Sequence, residues 1–132
     1  MNIKWLTFMA VVMCAAMVTA VVPAKQQDSD GTRLQARPVD LGTVHTDRLD
    51  PPGEEADWRM VQLEERHTLQ LQLDIRTGGR NATLKLTDAA GEPIADDTAG
   101  DQSADIEEQL EAGIYYIAVE STESLTYELR ID

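Results

Sequence analysis

Asp105-Ile106-Glu107-Glu108-Gln109-Leu110-Glu111-Ala112-Gly113-Ile114-Tyr115-Tyr116-Ile117-Ala118-Val119 is the stretch from which the fold is read. Two extended segments flank Ala112-Gly113, and a glycine there supplies the backbone freedom that a tight turn needs. The stretch is therefore expected to be strand, turn, strand: a hairpin. In its second half Tyr115, Ile117 and Val119 share one face and Ile114, Tyr116 and Ala118 the other, because successive strand residues point to opposite sides. Both faces are apolar, so this strand is expected at the centre of a sheet and covered on both sides.

Working outward, the apolar runs on either side supply its partners. His67 to Arg76 alternates without interruption: Leu69, Leu71, Leu73 and Ile75 point one way, and Thr68, Gln70, Gln72 and Asp74 the other. A helix would scatter those four apolar residues around its circumference, whereas a strand gathers them on one face. Trp58 to Leu63 puts Val61 and Leu63 on one face and Trp58 and Met60 on the other. Ala82, Leu84 and Leu86 alternate with Thr83, Lys85 and Thr87, and Tyr127, Leu129 and Ile131 alternate at the end of the chain. Val39 to Thr46 reads as one short strand with Val39, Leu41 and Val44 as its apolar positions and Gly42 as a bulge. Glu92-Pro93-Ile94-Ala95 reads as an edge piece, where a proline is tolerated. Asp47–Asp57 and Asp96–Ala104 read as acidic loops. Short strands with turn signals between them, and no helical period, define an all-β antiparallel sandwich, jelly-roll-like in its order.

The N-terminal residues read differently. Met1–Lys4 is short and basic, Trp5–Val22 is uncharged and mostly apolar, and small residues follow at Val18-Thr19-Ala20 and Val22-Pro23-Ala24. That layout is a secretory signal, with cleavage expected after Ala20 or Ala24. The rival reading is an uncleaved anchor, for which an apolar run of about 18 residues is barely long enough. Acylation at Cys14 is disfavoured by Met13 before it. Residues 1–24 are thus expected to be a signal peptide or N-terminal anchor, 25–37 a polar linker, and 38–132 the sandwich. Every version places the folded part outside the cytoplasm, in the periplasm or secreted.

Composition narrows the function further. The 132 residues carry 11 Lys and Arg against 24 Asp and Glu, a formal net charge of -13. Nucleic acids and anionic lipid surfaces need basic patches and are excluded as partners; contact with a membrane is expected only through an uncleaved N-terminal segment. The single cysteine, Cys14, lies in the apolar run, so the sandwich has neither a disulfide nor a thiolate metal site. His45 and His67 lie on different strands, and no motif sets a nucleophile against either. No catalytic residues are assigned. Calcium is the sharper candidate, since it takes several oxygen ligands. Asp47, Asp50, Glu54, Glu55 and Asp57 form one acidic cluster and Asp96, Asp97 and Asp101 another; solvated loops are the plainer reading of both. Trp58 and Tyr116 could stack on a sugar, but aromatic residues on a sandwich strand are more often core, and that is the expectation for both.

The order of the pieces resembles the bacterial pre-peptidase C-terminal domain. The residues that carry the resemblance are Leu41-Gly42, Asp57-Trp58 with Val61 and Leu63, the alternating Leu69–Ile75, Ala82–Gly91, then Gly113, Tyr115, Tyr116 and Val119 in a Gly-x-Tyr-Tyr-x-x-Val pattern, and finally Tyr127, Leu129 and Ile131. The resemblance spans roughly Val39 to Ile131. It implies a β-sandwich that accompanies secreted proteases without catalysing anything itself. The expected function is accordingly an exported binding or accessory domain that contacts a protein or polysaccharide partner in the cell envelope or outside it. The alternatives are a membrane-anchored structural component and a calcium-stabilised accessory to a secreted protease.

Overall fold

A computed structural model describes residues 31–79, 81–100 and 102–132. The predicted signal segment, residues 25–30 of the linker, Arg80 and Asp101 lie outside the described residues. After a 3-10 turn at Arg33–Gln35 the described residues form nine strands: β1 Arg37–Val39, β2 Thr43–Leu49, β3 Ala56–Leu63, β4 His67–Gly78, β5 Ala82–Asp88, β6 Pro93–Ala99, β7 Ser103–Leu110, β8 Gly113–Glu120 and β9 Leu125–Ile131. They build two sheets, one of four strands in the order β2-β9-β4-β7 and one of five in the order β1-β3-β8-β5-β6.

The alternation read in β4 sets the core. Leu69, Leu71, Leu73 and Ile75 are buried, and Thr68, Gln70 and Gln72 are exposed on the other face. Leu129, Ile131 and Tyr127 of β9 lie beside them, and Ile106 and Leu110 of β7 complete that sheet's inner face. Val61 and Leu63 of β3, Ile117 and Val119 of β8, and Ala82, Leu84 and Leu86 of β5 come from the other sheet. Twenty hydrophobic residues form one cluster between the layers, which is what a sandwich whose two inner faces interdigitate requires.

Three expectations are corrected. The deciding stretch is not a hairpin. β7 pairs with β4 in the four-stranded sheet, while β8 pairs with β3 and β5 in the other, so Glu111-Ala112 carries the chain across the sandwich. Every chain connection from β1 to β9 changes sheet except β5 to β6, the one link between strands that pair with each other. The single strand read over Val39–Thr46 is two strands: the chain turns at Gly42, φ 78°, and passes from one sheet to the other. Leu41 and Val44 are consequently exposed, and β2 turns Thr43, His45, Asp47 and Leu49 toward the core. The acidic stretches read as loops are partly strand. Asp47 belongs to β2, Asp57 to β3, and Asp96 and Asp97 to β6.

β8 is the middle strand of its sheet, as expected. It is not fully covered on both sides. Its inner residues Ile117 and Val119 are buried, but Ile114 on the outer face is 38% exposed and Tyr116 is half-buried. β1 runs parallel to β3, from Arg37 opposite Arg59 to Val39 opposite Val61, so one edge of an otherwise antiparallel pair of sheets is parallel.

Candidate functional site

Two features stand out from a plain sandwich: a charged network inside it and an aromatic face outside it. The network follows from strand periodicity. In β3 the residues in line with Val61 and Leu63 are Arg59 and Asp57, so burying the first pair buries the second. Arg59 is 2% exposed and Asp57 fully buried. A buried charge is tolerated only when paired and hydrogen-bonded. Tyr127 of β9 sits between the two: Arg59 Nη1 donates to the Tyr127 hydroxyl at 2.8 Å, and that hydroxyl donates to Asp57 Oδ2 at 2.6 Å. The Arg59 guanidinium carbon also lies 5.6 Å from the centre of the Tyr127 ring. At the rim, Asp47 Oδ2 accepts from Arg59 Nη2 at 3.3 Å and from Arg37 Nη2. The network thereby ties β1, β2, β3 and β9 together across both sheets. Burial, with Asp57 adding and Arg59 opposing, drives the Tyr127 phenol far above its ordinary pKa and keeps it protonated. The sequence carried a signal for this network in the inward row Asp57, Arg59, Val61, Leu63 of a strand facing Tyr127, Leu129 and Ile131.

His45 lies on the same inward row of β2 as Asp47. Its Nε2 is 2.8 Å from Thr43 Oγ1. Burial first, then the positive charges of Arg59 and Arg37, hold its pKa below 6.5, with Asp47 pulling the other way. His67 begins β4, on the far side of β9 from β2, so the two histidines are not brought together.

The five acids singled out for calcium are spread over different tasks. Asp47 and Asp57 belong to the network above. Asp50 accepts from Ser124 Oγ and Arg48 Nη2, each at 2.9 Å, and these bonds hold its carboxyl below the usual range. Glu55 Oε2 accepts from the Gly53 N–H at 3.1 Å, and Glu54 is half-buried in the same loop. In the second cluster Asp97 accepts from the Asp105 N–H at 2.9 Å, joining β6 to β7, whereas Asp96 is exposed and points to the other face of β6. Among the described residues no group of three His, Cys, Asp or Glu side chains is placed to hold a metal ion.

The aromatic face corrects the expectation that Trp58 and Tyr116 are core. Both lie on the outer face of the five-stranded sheet, half-buried, with Met60 opposite Tyr116 and Trp58 opposite Ala118. Tyr116 is partly covered by the 3-10 turn: the Arg33 guanidinium carbon stands 5.4 Å from the ring centre, and Arg33 Nη1 donates to Ala89 O at 3.0 Å. Among the described residues no cation covers Trp58 in this way. It lines a groove of about 290 Å3 with Lys85, Thr87, Pro93, Asp96 and Glu120. Ala118 is fully buried although it faces outward, because its register neighbours are Trp58 on one side and Lys85 on the other. Lys85 Nζ is 2.9 Å from Glu120 Oε1. The outer face of the other sheet has a different character: Gln70, Gln72, Asp105, Glu107 and Arg130 are among its exposed residues.

The class that these observations define is an all-β two-sheet sandwich, here with an internal charged clasp and one aromatic outer face. Among solved structures the chain is similar to the pre-peptidase C-terminal domain of the collagenase from Bacillus anthracis, with a TM-score of 0.65, 19% sequence identity, and coverage of 74% of this chain and 94% of that one. It also aligns with PliG, a periplasmic lysozyme inhibitor of g-type lysozyme from Aeromonas hydrophila, at a TM-score of 0.40 and 14% identity over 74% of this chain and 97% of that one. No family model and no curated protein matches the sequence. The resemblance drawn from Gly113, Tyr115, Tyr116 and the neighbouring strands is therefore borne out at the level of the fold.

Proposed function

We propose that this chain is an exported, non-catalytic accessory module that binds a partner in the cell envelope or outside it through the outer face of its five-stranded sheet. The observation that carries this reading is the set Trp58, Met60, Ile114 and Tyr116, apolar and aromatic side chains that the sandwich leaves on its outside. Half-exposed aromatic groups grouped on one face are the usual anchors of an interface. Among the described residues the opposite outer face is mostly polar and carries no aromatic side chain, with Val44 as its exposed apolar residue. The export part of the reading rests on the Met1–Ala24 pattern. The accessory part rests on analogy with a fold that, in the collagenase, is one domain of a protease.

The test is capture of partners from an envelope extract by the tagged chain, run beside a Trp58→Ser, Ile114→Asp double variant. One protein or polymer recovered by the wild type and lost by the folded double variant supports the reading. Equal recovery by both moves the interface elsewhere, and proteolytic or glycosidic activity in the purified chain overturns the non-catalytic assignment.

A further inference from the structure

We propose that the Trp58 groove receives a lysine or arginine side chain presented by a basic polypeptide segment of the partner; the proposal rests on the binding-module reading above and names the chemistry it selects. Three observations point to a cation. The first is the lining: an indole beside carboxylates. Lys85 pairs with Glu120 at 2.9 Å, and Asp96, exposed at the groove as the register partner of Lys85, is used by no ion pair among the described residues. An ammonium or guanidinium entering there meets the ring face of the strongest cation–π residue and a free carboxylate together.

The second is that the same face already holds such a group from its own chain. Arg33 sits over Tyr116 and donates to Ala89 O, and Gly91 leaves room for it, since a Cβ there would stand 3.0 Å from Arg33 Nε. Tyr116 and Trp58 are diagonal neighbours across β8 and β3, about 7–8 Å apart for that register. The outer face thus carries two adjacent aromatic seats, one filled internally and one that no described residue fills.

The third is charge. The chain carries -13 overall, a field that draws basic segments in and repels anionic ones. A second groove of about 360 Å3, lined by Glu55, Ala56, Thr83 and Glu120 among others, meets the Trp58 groove at Glu120. The two form a track with an acid at each end, suited to an extended segment bearing more than one cation rather than to a single small ion.

Trp58 reports on its own occupancy, because the chain has two tryptophans and the other is Trp5. In a full chain carrying Trp5→Phe, emission is followed while an eight-residue Lys- and Arg-bearing peptide is added, beside its Glu-substituted counterpart and a neutral chitin hexasaccharide. The expected result is a saturable change with the basic peptide alone, weakened by salt, and weakened about three- to thirtyfold by Asp96→Asn, the range of one desolvated cation–aromatic and carboxylate contact. Glu107→Gln, the same charge change on the opposite sheet, leaves it unaltered. Four outcomes overturn the proposal: no change up to millimolar peptide, equal response to the Glu peptide, response to the hexasaccharide instead, or equal weakening by Asp96→Asn and Glu107→Gln. If the peptide fails while partner capture still depends on Trp58, the cation chemistry falls and the binding face stands. If both fail, the face itself is wrong.

Discussion

Tyr127 is the polar side chain that joins two buried charges in the core. Its hydroxyl is acceptor to one buried charge and donor to another, so Tyr127→Phe strips a partner from both Arg59 and Asp57 at once. The expected loss is about 2–4 kcal/mol, because each bond is made to a charged group and neither charge can reach water. Urea unfolding measures it; a loss below about 1 kcal/mol would mean that the clasp relaxes around the gap. His45 gives the network a pH dependence. Its folded pKa is depressed, so the native state binds its proton more weakly than the unfolded chain does. The corresponding stability is present above pH 6.5 and is lost as pH falls through the folded value. His45→Gln is expected to flatten the decline below pH 6.5 in a series of melting curves, whereas an unchanged slope would assign that decline to other groups.

Among the elements, the corner where β4 ends against the start of β9 is the least tolerant of change. Gly78 has φ 96°, and a Cβ there would lie 2.3 Å from Ser124 O and 2.7 Å from Leu125 Cα. Both are backbone atoms and cannot swing aside. Gly78→Ala is expected to cost about 2 kcal/mol or more, by unfavourable φ and by clash together. Gly91→Ala makes the control: its Cβ meets the flexible end of Arg33, so a smaller loss is expected together with displacement of Arg33 from Tyr116. Circular-dichroism melts of the two variants separate the cases. β4 itself is the central support of the core, and Leu73→Ala, fully buried, is expected to lose about 2–5 kcal/mol. The loop of Asp50 to Glu55 bears on the calcium question. Its Asp50 and Glu55 already accept bonds from Ser124, Arg48 and the Gly53 N–H, and its neighbours Asp47 and Asp57 are held by Arg37, Arg59 and Tyr127. Millimolar calcium or a chelator is therefore expected to leave the melting temperature within about 1 °C; a calcium-dependent rise of several degrees would overturn this.

At the scale of the whole molecule, charge is the governing property. With 24 acids against 11 basic residues the folded surface repels itself, and added salt is expected to raise the melting temperature by about 2–5 °C as that repulsion is screened. A fall on adding salt would mean that ion pairs such as Arg66–Glu111 and Arg76–Glu128 outweigh the repulsion. What was legible beforehand divides along a physical line. The sequence by itself determined the strands that alternate cleanly, β4, β5 and β9, the core residues on them, and the all-β class, because side-chain alternation is a local property of extended backbone. It also determined the acidic character and the apolar N-terminal run. Only the tertiary structure decided that Glu111-Ala112 crosses between sheets instead of closing a hairpin, and that Gly42 splits one apparent strand in two. A turn signal marks where the chain bends, not which sheet receives the next strand; that is settled by which inner faces can be buried against each other. For the same reason Asp57 and Arg59 became a buried pair and Trp58 an outer seat. They are adjacent on one strand and point opposite ways, and the location of the second sheet alone decides which side is the inside.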